Sequence, residues 1–317
     1  MFFELVQDQI PAVEARMREQ ANGHHPDLEM ALQHLLSAGG KRVRPTVAIL
    51  VGGMLGAPQD HLVTLAAAVE LLHTATLVHD DVIDGSLLRR GSPTLNARWS
   101  PGATILTGDF IFARAAKLAA ETESIDVMKL FAKTLSTIVN GEITQMFISK
   151  GLISREDYYR RIYAKTASLF ELSTIAPVFL SGGDEEMIDR MQRFGYEVGM
   201  AFQVVDDVLD FTSDQTELGK PVANDLRQGL VTLPALYYLE KHPDEPVIQK
   251  VVEDRIVSED SLMQVVHAIR ESGAIQDAMA EARQYVGRAL EALGDMPETP
   301  QRQALEDLAR FVVDRNI

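Results

Sequence analysis

The chain has 317 residues, of which 46% are hydrophobic but only 6% aromatic, and its 30 Lys and Arg against 46 Asp and Glu give a formal net charge of −16. So acidic a surface disfavours nucleic acid as a main partner, and the lack of cysteine excludes disulfides, thiolate zinc sites and cysteine nucleophiles. The apolar residues are mainly Leu, Ala, Val and Ile, which favours helix over sheet, and the length suits one large domain or two ordinary ones.

The first segment, MFFELVQDQIPAVEARM, carries acids and lacks a basic stretch before an apolar run, so no secretory signal is expected. No uncharged apolar stretch reaches about 18 residues, so no membrane span is expected and the protein reads as soluble and cytoplasmic. Gly39-Gly40-Lys41-Arg42-Val43-Arg44-Pro45 joins two helical patterns. Its glycines permit a tight backbone and Pro45 suits the first position of the next helix. Lys41 and Arg44 could grip an anion; taken alone, a helix-ending glycine followed by exposed charges is the plainer reading.

From Leu62 to Val82 apolar residues fall on nearly all sides, which predicts a central buried helix. It ends in Asp80-Asp81-Val82-Ile83-Asp84. His73 lies about two turns before Asp80 on a similar face, and Arg89-Arg90-Gly91 follows closely. Further apolar helices are predicted over 103–119, 124–148, 166–180 and 186–212, with Lys165-Thr166 opening the third. The last of these carries Gln203 and then Asp206-Asp207-Val208-Leu209-Asp210; Lys220 sits in the polar loop beyond. Segments 258–271, 275–293 and 301–314 are more charged and read as outer amphipathic helices. No run of alternating strands and no Pro/Ser/Gly linker appears, so the expectation is one all-α domain, 1–317.

The two Asp-Asp-x-x-Asp clusters carry the chemistry. In a helix the first and last Asp of each project from one face, one turn apart, where like charges repel. Each cluster closes a long apolar stretch, and carboxylates beside such surface need compensating cations. Two repulsive sets suggest one shared partner, hard divalent cations with oxygen ligands, with Mg2+ retaining room for substrate phosphates. Arg89 and Arg90 supply forked donors suited to phosphate.

Together these motifs resemble the trans-isoprenyl diphosphate synthases (polyprenyl synthetases), through GGKRVRP at 39–45, HTATLVHDDVIDGSLLRRG at 73–91, KTASLF at 165–170, FQVVDDVLDF at 202–211 and GKPVANDLRQGLVTLP at 219–234. The resemblance implies a helical bundle around a deep central cavity (the isoprenoid synthase fold), a homodimer, and a prenyltransferase that condenses isopentenyl diphosphate with an allylic diphosphate. It implies that Asp80, Asp84 and Asp206 ligate Mg2+, three ions with substrate bound, and that Asp81, Asp207 and Asp210 support that assembly. It places Arg89, Lys165 and Lys220 on the allylic diphosphate, and Lys41, Arg44, His73 and Arg90 on isopentenyl diphosphate. Thr166 and Gln203 come near the developing carbocation. Ala223 stands in a stretch richer in Gly in the family, so the conformation of that loop is the point of departure.

In the family, residues just upstream of the first cluster form the cavity floor. Here Ala75 and Thr76 are small, so a growing chain can pass towards Leu72, and the facing helix around Ile143, Met146 and Phe147 is expected to close the floor. The implied product is an all-trans chain of C30–C50. Alternatives are a shorter farnesyl or geranylgeranyl synthase, and a non-catalytic subunit of a heteromeric enzyme. A class I terpene cyclase fits worse: its second metal motif mixes Asn, Ser/Thr and Glu, and Lys41, Arg44 and Arg90 would have no purpose there.

Overall fold

A computed structural model describes residues 2–37, 39–89, 91–148, 154–212, 222–253 and 257–315. The helices in chain order are α1 (Gln9–Arg18), α2 (Pro26–Ser37), α3 (Val43–Leu55), α4 (Gln59–Ile83), α5 (Leu95–Arg98), α6 (Pro101–Ala120), α7 (Ile125–Ile148), α8 (Arg155–Ile162), α9 (Ser168–Ser181) and α10 (Glu185–Thr212). The later ones include Leu233–Lys241, Glu259–Glu271, Ala274–Leu293 and Pro300–Asp314. Among the described residues the one β element is a two-stranded hairpin, Leu88–Arg89 against Ser92–Pro93.

Side-chain capping explains where many helices start. Ser100, Ser154 and Ser258 each accept a first-turn backbone N–H, from Ala103, Asp157 and Ser261. Pro101 follows Ser100 at the first helical position, where no N–H is needed. Pro45, expected at such a position, stands third in α3, still within the turn that needs no N–H.

The chain forms two compact units, each drawn from three stretches of sequence: Met1–Ser136, Leu169–Gly195 and Ala292–Leu308 in the first, and Thr137–Ser168, Tyr196–Glu291 and Ala309–Ile317 in the second. In the first, α4 packs against α6, α3 and α1. Leu65, Val69, Leu71, Leu72 and Ala75 of α4 are buried, with Val47 and Leu50 of α3 and Ile111, Ala115 and Leu118 of α6. Each fully buried Leu contributes about 2 kcal/mol relative to exposure. By length and composition α4 could cross a membrane, but 72% of its most apolar window is buried inside the structure. That window therefore packs against protein in the fold. In the second unit Val204, Val205, Val208 and Phe211 of α10 are buried, as are Leu233, Val265, Ile269, Ala278 and Ala282 of the later helices.

The chain enters α3 through a strained residue. Arg42 has φ 45° and ψ 39°, a left-handed conformation that costs a side-chain-bearing residue about 1 kcal/mol or more. Its guanidinium is held in return by Glu14 Oε1 at 3.1 Å, Glu70 Oε1 at 2.9 Å and the Leu36 carbonyl at 3.2 Å. Arg42 and Glu70 side chains are only 10% and 7% exposed. Burial opposes the Arg42 charge, yet Glu70 and Glu14 overcome it and hold the guanidinium above its ordinary pKa. Arg42 thus pins the loop that presents its neighbours Lys41 and Arg44.

Removing one partner of a buried pair leaves the other charge uncompensated. Arg42→Met is therefore expected to lower unfolding stability by about 3 kcal/mol or more in urea. Lys41→Met, at an exposed neighbour, should stay within about 0.5 kcal/mol of the parent. Equal stabilities for the two variants would remove Arg42 from this role.

Candidate functional site

The first acidic cluster closes α4. Asp84 is the C-cap residue and keeps the helical turn, its N–H bonding the Asp80 carbonyl at 2.8 Å. Gly85 then takes φ 62°, and the Ser86 N–H returns to Asp81 O at 2.9 Å while Gly85 N–H returns to Val82 O at 3.2 Å. These are the paired bonds of a Schellman stop, which needs a left-handed residue where Gly85 stands. The helix therefore ends with its carboxylates at its negative pole. Asp84 is exposed and Asp80 half-buried, but Asp81 is buried. Asp81 Oδ1 lies 2.9 Å from both Nε and Nη2 of Arg89. The hairpin brings Arg89 back to the cluster, and Thr94 fixes it by donating from Oγ1 to Ser86 O at 2.7 Å.

In the same unit, Arg44 lies over the Phe170 ring at 4.9 Å, Lys41 is exposed and His73 is half-buried. Leu72 and Ala75 are fully buried. Thr76 is half-buried, its hydroxyl donating back to His73 O at 2.7 Å.

The second cluster lies inside α10 and repeats the division. Asp206 and Asp210 are half-buried, and Asp207 is buried. Asp207 Oδ2 accepts from Tyr158 OH at 2.7 Å, and its Oδ1 accepts from Gln203 Nε2 at 2.8 Å. Gln203 Oε1 in turn accepts from Thr166 Oγ1 at 2.6 Å, so the Gln203 amide is fixed at both ends. Asp210 accepts from the backbone N–H groups of Asn224 and Asp225 at 3.1 and 3.2 Å, and its carbonyl takes the Ala223 N–H at 2.8 Å. Ala223 is buried and left-handed, φ 54°, which is the conformation glycine adopts without strain. In this stretch, expected to be richer in Gly, the left-handed conformation is thus taken by an alanine.

Lys165 and Thr166 do not open a helix as the sequence reading expects. They lie in a π-helical turn, Tyr163–Ala167, between α8 and α9. Such turns add a residue to a helix and re-aim its side chains. A side chain at Gly141 of α7 would strike Ala164, so that glycine lets the π turn sit against α7. There Lys165 Nζ lies 3.0 Å from Glu142 Oε1. Arg90 and Lys220 lie outside the described residues.

A family model described as polyprenyl synthetase matches residues 25–269. The chain belongs to the polyprenyl synthetase family. It is 37% identical over 315 residues to heptaprenyl diphosphate synthase component 2 of Geobacillus stearothermophilus, covering 99% of this chain and 98% of that relative. It is 35% identical over 315 residues to octaprenyl diphosphate synthase of Escherichia coli (strain K12), with the same coverage of 99% and 98%. A crystal structure of polyprenyl synthase from Caulobacter crescentus CB15, complexed with calcium and isoprenyl diphosphate, matches with a TM-score of 0.94 at 35% identity, covering 99% of this chain and 97% of that one. The all-α isoprenoid synthase fold expected from the sequence is the fold of this polyprenyl synthetase.

The donors of the synthetase fit hard divalent cations: Asp80, Asp84 and Asp206 offer partly exposed carboxylate oxygens. Among the described residues no group of three or more His, Asp or Glu side chains forms a ready-made cation cage. Arg315, Tyr158 and Glu142 were missed from sequence. Arg315 Nη1 reaches Asp206 Oδ1 at 2.8 Å from the end of the last helix, and no local motif marks it.

Burial, and the nearby charge of Asp225, push Asp207 up to about 7 despite the donors Gln203 and Tyr158. Burial and the Asp207 carboxylate hold Tyr158 well above its ordinary value. Unfolded, Asp207 would titrate near 4. Between those pH values the folded chain binds the extra proton, so the stability contributed by this group is full at low pH and is lost as pH rises through 7. Without divalent cations, wild type should therefore lose up to about 4 kcal/mol relative to Asp207→Asn between pH 4 and pH 8.5. Urea unfolding of both proteins checks this; a pH-independent difference would contradict it.

Proposed function

We propose that this polyprenyl synthetase is a Mg2+-dependent trans-prenyltransferase that condenses isopentenyl diphosphate with an allylic diphosphate, repeatedly, to an all-trans product of C30–C50. The observation that carries this reading is the repeated division within each acidic cluster. One buried aspartate is anchored by the protein's own donors, and its flanking aspartates are partly exposed at a helix end. The names of the relatives, heptaprenyl and octaprenyl diphosphate synthases, support the chain length.

In this reading Asp80, Asp84 and Asp206 hold the cations, three with substrate bound, and Asp81, Asp207 and Asp210 keep the clusters in shape. Bound Mg2+ supplies electrostatic stabilisation for the departing diphosphate. Arg89, Lys165 and Lys220 hold the allylic diphosphate and neutralise the charge that grows as its C–O bond breaks. Lys41, Arg44, His73 and Arg90 orient isopentenyl diphosphate, whose terminal alkene forms the new C–C bond to the allylic carbon. A proton then leaves to restore a double bond, with the released diphosphate as acceptor. Thr166 and Gln203 present fixed oxygen dipoles to the developing positive charge. Ala75, Thr76 and Leu72 line the path of the growing chain, where water is excluded.

Ile143, Met146 and Phe147, expected at the cavity floor, are 48%, 60% and 85% exposed. With Val139 at 43% they form one apolar stripe on α7, at the spacing of a helix face. That stripe supports a homodimer rather than a floor. A single domain over 1–317 is supported by the unbroken family match and by the interleaving of both units along the sequence. The buried α4 and acidic composition support a soluble, cytoplasmic enzyme without a membrane span. A second reading, a chain active only with another subunit, is supported by two relatives named as component 2 of their synthases.

The purified chain, given farnesyl diphosphate, labelled isopentenyl diphosphate and Mg2+, is expected to yield products of C30 or longer on reverse-phase chromatography. Absence of any extension would favour the two-subunit reading. Asp80→Ala should cut diphosphate release at least about 100-fold; near wild-type release at saturating Mg2+ would exclude its ligand role. Ala75→Phe should shorten the product while turnover persists. An unchanged product distribution would defeat the assignment of α4 to the floor.

A further inference from the structure

Arg315 stands at the end of the helix Pro300–Asp314, yet its side chain is only 9% exposed. Three contacts hold it without help from any acid. Its Nε donates to Val312 O at 3.1 Å, its Nη2 donates to Phe202 O at 3.1 Å, and its guanidinium lies 4.1 Å from the centre of the Phe202 ring. The remaining nitrogen, Nη1, meets Asp206 Oδ1 at 2.8 Å. Asp206 is 41% exposed, so the buried partner is the arginine and the accessible one is the carboxylate.

We propose that Arg315 is the resident counter-ion of the second aspartate cluster, and that it makes cation binding at Asp206 depend on an anionic co-ligand. The inference deepens the reading of Asp206 as a cation ligand and rests on it. A guanidinium fixed by its own helix, a carbonyl and an aromatic ring does not leave when a metal arrives. A cation alone on Asp206 then faces a second positive charge across one carboxylate, and that repulsion weakens its binding. A ligand of the diphosphate class brings several negative charges, removes the repulsion and offers acceptor oxygens to both cations. By linkage, cation and diphosphate each tighten the other. Arg315 would so keep the cluster ordered before substrate arrives and discourage idle metal loading.

The test uses Mn2+ alone as probe, with free Mn2+ counted by electron paramagnetic resonance on the full chain and no turnover involved. Arg315→Gln should bind Mn2+ roughly tenfold more tightly than wild type. Arg315→Lys, which keeps the charge, should stay within about threefold of wild type. The double variant Arg315→Gln, Asp206→Asn should lose the gain, which places the effect on Asp206. Unchanged or weaker Mn2+ binding in Arg315→Gln, or a gain as large in Arg315→Lys, would overturn the proposal. Asp206→Asn alone tests the underlying ligand assignment; unaltered Mn2+ binding there overturns that assignment, a result distinct from failure of the arginine substitutions.

Discussion

Negative charge gathered at the wrong end of a helix governs this structure. The last turn of α4 carries Asp80, Asp81 and Asp84, and the last two turns of α10 carry Asp206, Asp207 and Asp210. Helix C-termini already bear partial negative charge, so each carboxylate there is disfavoured by a few tenths to about 1 kcal/mol. Left to itself such a sequence would fray. The protein answers in part from its own side chains. Arg89 meets Asp81, Tyr158 and Gln203 meet Asp207, and backbone N–H groups of a following turn meet Asp210. Arg270 adds a further donor at this pole, to the Phe211 carbonyl at 2.6 Å.

Local backbone devices serve that arrangement. A Schellman stop at Gly85 ends α4 directly after its cluster. The hairpin that follows is too short for stability of its own, but it returns Arg89 to Asp81. In the second unit a π turn sets Thr166 against Gln203 and Lys165 against Glu142. The run Thr166 to Gln203 to Asp207, with Tyr158 closing it, is a continuous hydrogen-bonded line, and such networks rigidify when every member is satisfied. Strain at Arg42 and Ala223 sits beside these elements, at the entries to the GGKRVRP helix and the turn after α10. Left-handed residues concentrate at such places because their surroundings over-determine them.

Much of this was legible in the sequence. The periodic segments at 103–119, 124–148, 186–212, 258–271, 275–293 and 301–314 match helices to within a few residues at each end, because long apolar periodicity is the strongest local signal. The two clusters were found by spacing alone. What spacing could not provide was the partner of each aspartate. Asp81 and Asp207 look identical to their neighbours in sequence; Arg89 and Tyr158, brought in by the fold, separate them, with Gln203 one turn before Asp207. Lys165-Thr166 reads as a helix start, because a single π turn between two helices leaves no periodicity of its own. Ile143, Met146 and Phe147 are expected at the floor from the resemblance alone, and their periodicity fixes a face without saying what the face meets. Arg315 has no motif around it, and its partner lies more than 100 residues away.

The direct measurement is the anomalous scattering of Mn2+ in crystals grown with a non-reactive allylic thiodiphosphate. We expect Mn2+ peaks within coordination distance of Asp80, Asp84 and Asp206 that share the thiodiphosphate oxygens, with Asp81 and Asp207 still bonded to Arg89 and Tyr158. Mn2+ coordinated by Asp81 or Asp207, or a bound thiodiphosphate with no Mn2+ at Asp80 and Asp206, would contradict the division between anchored and ligating aspartates.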